Sequence, residues 1–201
     1  MKTILLSDKV RVSDPCYDND VWCKTKLTDV LPGEYEVTVD RHDDESWGNR
    51  ISQLQVVHKD YKHKNLVWNE HSEIGVDSGQ AGVFCESTYR NDTVDINTPE
   101  SDFFLPMNDQ SGDAWYEKMC KFTLSGEGFG AYESGVVTSS GYGDGSYPLA
   151  IARDEDKNIV SMVVTFIGED DEEDEDEGDC CGVCGGELES DGECVYCCDE
   201  K

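Results

Sequence analysis

Apolar residues fall in short runs through residues 1 to 167, with Gly, Pro, Asn and Asp between them. In EYEVTVD, Tyr35, Val37 and Val39 alternate with Glu36, Thr38 and Asp40, the period of two of a strand with one buried face. Comparable runs rich in Val, Ile, Thr or aromatics are KVRV (9 to 12), ISQLQVV (51 to 57), GVVTSS (135 to 140), PLAIAR (148 to 153) and IVSMVVTFI (159 to 167). Pro32-Gly33 is a turn signal, and PLAIAR and IVSMVVTFI predict a hairpin around Asp154 to Asn158. That loop starts like a calcium-binding loop, but Ile159 stands where such a loop needs Gly, so it is read as a hairpin turn. One stretch has the helical period instead. In DAWYEKMCKFTL, Trp115, Met119 and Phe122 share a face, with Asp113 as the expected cap. The expected fold is mainly β, with antiparallel sheets and one or two short helices.

The pattern breaks at Gly168. Residues 168 to 179 contain nine consecutive acids, Glu169 to Glu177, which repel one another and offer no apolar face, so a flexible acidic linker is expected. Residues 180 to 201 then hold six of the ten cysteines. Cys181 and Cys184 form one CxxC pair, Cys194 and Cys197 another, with nine residues between the pairs. Two such turns facing each other supply the four thiolates of a closed tetrahedral zinc site, structural because no position stays open for water. The segment resembles a short zinc ribbon, which extends to Gly185 and to the Asp191-Gly192 turn, although no Gly follows Cys197. Cys180 and Cys198 flank the pairs and either can replace a neighbour as ligand; a disulfide staple is the rival use of these thiols.

Charge narrows the function classes. The formal net charge is -29, with 29 acids against 15 Lys and Arg in residues 1 to 167, and 16 acids against one Lys in residues 168 to 201. Nucleic-acid affinity comes largely from basic side chains that displace counterions, so direct nucleic-acid binding is not expected, and a ribbon this acidic is expected to contact a protein. No run reaches the roughly 18 apolar residues of a membrane span, and MKTILLSDKVRV breaks too early for a secretion signal. A cytoplasmic protein is expected.

Three stretches of the body combine turn residues with hydrogen-bonding or reactive groups: SDPCY (13 to 17), GVDSGQAG (75 to 82) and GYGDGSYP (141 to 148). Each has a plain reading, in which Asp caps turn amides and Ser and Gln satisfy backbone groups. If the three turns meet, Asp14, Cys16, Asp77, Ser78, Gln80 and Asp144 line one polar pocket, since binding sites favour loops on a rigid scaffold. The DPCY, VDSGQ and GDGxYP segments resemble those of a bacterial and phage family catalogued as a domain of unknown function, number 4241. The resemblance spans most of residues 7 to 167 and implies no activity; the ribbon and acid run lie outside its pattern. For a phage-encoded protein it would imply the host cytoplasm.

No catalytic motif stands out. GVDSG lacks the GxSxG elbow, and there is no GxxxxGK[ST] or HExxH. His58 and His63 sit in HKDYKHK, read as an exposed polar loop. The leading expectation is a non-enzymatic protein that binds a small ligand or peptide through the loop pocket and a protein through the ribbon. One alternative is a hydrolase using Cys16 with His71 and Asp77, or a metal held by Asp14, Asp77 and Asp144. Another is an acidic decoy for nucleic-acid-binding proteins.

Overall fold

Two antiparallel sheets and one helix account for the regular structure. The computed structural model describes residues 2–18, 21–104 and 111–168, and its elements belong to the unit Met1–Ile167. The acidic linker and zinc ribbon expected for residues 168 to 201 lie, from residue 169 on, outside the described residues. The larger sheet has six strands in the spatial order β1 (Lys2–Leu6), β4 (Gly33–Asp44), β5 (Gly48–His58), β11 (Ile159–Thr165), β10 (Gly145–Arg153) and β6 (Trp68–Val76). The smaller runs β3 (Thr25–Leu27), β2 (Val10–Ser13), β7 (Gln80–Cys85), β9 (Gly135–Ser139) and β8 (Phe129–Tyr132). Every pairing between these strands is antiparallel.

Alternation decides which side chains meet. Ile4, Val37, Leu54, Leu149 and Met162 of the larger sheet and Val12, Val83 and Val136 of the smaller are buried together in one apolar cluster. The opposite face of the smaller sheet is also dry. There Phe84, Tyr132 and Val137 pack against Trp115, Met119 and Phe122 of helix α1 (Asp113–Thr123) and against Tyr89 and Ile96. Gly130 of β8 lets the helix come this close, because a Cβ there would lie 1.9 Å from the Phe122 ring. β7 separates the two clusters, which is why all six of its residues are buried.

The strong patterns become the expected elements: KVRV gives β2, EYEVTV and ISQLQVV give the β4–β5 pair, and PLAIAR and IVSMVVTFI form the β10–β11 hairpin. In its loop, Asp154 Oδ1 accepts from the Asn158 amide at 2.8 Å. Trp115, Met119 and Phe122 make the buried stripe of α1. Two expectations need correction. Asp113 is not the helix cap: Gly112 occupies that position at φ 95, and Asp92 takes the capping role from outside by accepting from the Gly112 and Trp115 amides at 2.7 and 2.9 Å. Asp113 instead faces Arg90 at 3.5 Å. His58 is not in an exposed loop either. It ends β5 buried between the rings of Tyr35 and Tyr61, and its Nδ1 accepts from the Asp60 amide.

Candidate functional site

The SEIGVDSGQAGVF stretch is the end of β6, a tight turn and β7, with Gly79 at φ +64 completing the reversal. Its polar residues are fixed by two partners distant in sequence. Strand β2 delivers Asp14, which is fully buried, and Pro15 turns the chain away immediately afterwards. The carboxylate of Asp14 faces the turn. Its Oδ2 accepts from the amides of Asp77 and Ser78 at 2.9 and 2.8 Å. Its Oδ1 accepts from the Ser78 hydroxyl at 2.7 Å and from the Cys16 amide at 2.8 Å. The next amide along, Gly79, donates to Asp144 Oδ1 at 2.9 Å. Three successive amides are thus received by two carboxylates from different loops.

Gln80 carries the cluster to the helix. Its Oε1 accepts from Thr123 Oγ1 at 3.0 Å, and its Nε2 lies 3.5 Å from Ser78 Oγ, Tyr116 OH and Cys120 Sγ. Tyr116, Cys120 and Thr123 stand at i, i+4 and i+7, a second stripe on α1 beside the apolar one. The segment after Asp14 is pinned from behind: Tyr89 OH donates to the carbonyls of Asp14 and Tyr17 at 3.0 and 2.8 Å, and Arg90 Nη1 donates to that of Cys16 at 3.1 Å.

All six candidate residues of the loop pocket are therefore at one end of the two sheets: Asp14 and Gln80 buried, Cys16 and Ser78 half-buried, Asp77 and Asp144 exposed. Asp14, Asp77 and Asp144 meet through backbone amides rather than carboxylate to carboxylate. Among the described residues no group of three or more His, Cys, Asp or Glu is placed to hold a metal ion. His71 is not brought in. It lies exposed on β6, six residues before Asp77, and no hydrogen bond joins it to Cys16. Burial, followed by the nearby Asp14 charge, pushes the Cys16 thiol far above its ordinary range. Burial likewise raises Tyr116 and Cys120. Among the described residues no histidine stands beside either Ser78 or Cys16; the group next to both is the Asp14 carboxylate, which is already engaged by three amides and the Ser78 hydroxyl. Sequence reasoning missed Arg90, Tyr116, Cys120 and Thr123; the legible signal was the polar helix stripe.

With this geometry in place, comparison with known proteins adds one grouping. Residues 4–164 match a family described as protein of unknown function (DUF4241). The chain belongs to that family. The match covers all of both sheets but the first two residues of β1 and the last of β11, the helix, and every residue of the loop cluster, so the site is part of the shared domain. No curated protein and no solved structure matches the chain. Among the described residues no helix is long and apolar enough to cross a membrane.

Proposed function

We propose that this DUF4241 member is a non-enzymatic binding protein whose loop cluster takes a small ligand or a peptide, and whose segment 180 to 201 is a zinc ribbon that contacts a protein. The reading rests on the fixation of the 77–79 amides by Asp14 and Asp144, because a turn held by four acceptor contacts, the three to Asp14 half-buried and the one to Asp144 exposed, is preorganised before any ligand arrives. Exposed Asp77 and half-buried Cys16 and Tyr116 remain at its rim as hydrogen-bonding groups. A thiol held protonated and a serine that donates to a carboxylate suit recognition, not nucleophilic attack.

Mass spectrometry of small molecules retained by the purified chain is the direct test of the pocket. A bound species lost on Asp77→Ala is expected; turnover abolished by Asp77→Ala or Cys16→Ala would overturn the reading. For the ribbon, whose residues lie outside the described ones, the donor set carries the proposal: Cys181, Cys184, Cys194 and Cys197 give four thiolates to one ion. Metal analysis is expected to find about one zinc per chain, lost on changing Cys184 and Cys194 to Ser. A protein partner, not nucleic acid, is proposed for it on charge grounds.

A further inference from the structure

A polar hollow lies on the outward face of the larger sheet, independent of the loop cluster. The strand register places side chains across that face in two rows. One row runs Glu36, Val57, Ser161, Ala152, Trp68; the next runs Thr38, Gln55, Val163, Ala150, Glu70. Ser161, Ala152 and Ala150, in the middle of these rows, are small, and the first two are fully buried. The connection from β5 to β6 crosses over β11 and β10 on this side and supplies a wall. It is tied down at its start, where Lys59 bonds Glu34 and Lys62 bonds Glu36. The result is a cavity of about 450 Å³ lined by Glu36, Thr38, Gln55, Lys62, Lys64, Asn65 and Trp68, among others. That is within the usual range for small-ligand sites.

The lining specifies a chemistry. Trp68 lines the hollow and is 37% exposed, so it brings an accessible aromatic side chain to it. Gln55, Asn65 and Thr38 offer donors and acceptors together. Of the two lysines, Lys62 is paired with Glu36, whereas the Lys64 ammonium lies 3.8 Å from the centre of the Tyr61 ring and has no carboxylate partner among the described residues. Within this lining Lys62 and Lys64 stand against one carboxylate, Glu36, which leaves room for a ligand with a single anionic group; Asp154, Glu155 and Asp156 line the adjoining hollow that Lys64 also borders, and they, with the net charge of -29, disfavour a phosphate polymer. We propose that this hollow binds a small molecule joining a flat ring to one anionic group, the chemistry of a nucleoside monophosphate, with the ring on Trp68 and the anion at Lys64.

Calorimetric titration of the full chain with the four ribonucleoside 5′-monophosphates tests this, with inorganic phosphate and the matching nucleosides as separate arms. At least one monophosphate is expected to bind with Kd of about 1 mM or tighter, and about tenfold more tightly than either of its halves. Lys64→Gln and Trp68→Ala should each weaken it about tenfold. Should a variant fail to fold, the Trp68 indole N–H signal of the wild-type chain must shift on titration. The proposal is overturned if no monophosphate saturates below about 5 mM, if phosphate or nucleoside alone binds as well, or if both variants keep full affinity. None of these results bears on the loop cluster.

Discussion

The loop cluster and the sheet hollow are both polar, yet they handle their polar groups in opposite ways. Around Asp14 nearly every donor has an acceptor from the protein itself: one carboxylate satisfies three amides and a hydroxyl. In the hollow, Gln55, Asn65 and Lys64 form no comparable network among the described residues, and Lys64 lies over the Tyr61 ring. The first arrangement contributes stability and fixes shape; the second adds little stability and leaves groups free for a ligand. Polar density alone therefore does not distinguish a scaffold from a receptor, but the direction in which the hydrogen bonds run does.

The largest expected effect is at Asp14. Asp14→Ala leaves the Asp77 and Ser78 amides without acceptors beside a dry core, and should destabilise the chain by at least about 3 kcal/mol in urea denaturation. Asp14→Asn, which keeps an acceptor oxygen, should cost less. Next comes Cys16, whose thiol is raised by burial first and the Asp14 charge second. Alkylation of Cys16 at pH 8 should be more than tenfold slower than that of a free thiol, and Asp14→Asn should speed it up. The sign for stability follows: a thiol raised in the folded state favours folding below the unfolded thiol range of about 8.5, and that contribution fades as pH rises above it. Asp144→Ala removes one acceptor at an exposed position and should cost about 1 kcal/mol. Smallest of all, Lys64→Gln should change stability by less than about 0.5 kcal/mol. A large loss there would erase the contrast between the two regions.

Much of the fold was readable because β4, β5 and β11 carry short runs rich in β-branched residues, β10 carries the apolar run PLAIA, and α1 carries one unbroken stripe. What escaped was less regular. β6, WNEHSEIGV, is an edge strand whose first residues are exposed, so it shows no apolar row until Ile74. β7, QAGVFC, shows no alternation because both of its faces are covered. β3 has only three residues. The convergence of the three turns was legible from Asp14-Pro15, Gly79 and Asp144-Gly145, since turn chemistry marks where strands end. That Asp14 would face amides instead of solvent was not, because it depends on residues 63 and 64 positions away in the chain. The sheet hollow was hidden for the same reason: it follows from strand register, and HKDYKHK by itself reads only as a basic loop.

Strand β7 has a dynamic consequence. Ala81, Val83 and Cys85 point into one apolar cluster while Phe84 points into the other, so both must be wetted before its amides can meet solvent. In deuterium labelling, the protons of this segment should be the slowest to exchange in the chain, and any partially opened form that sheds the helix must still keep β7 clamped against the larger sheet.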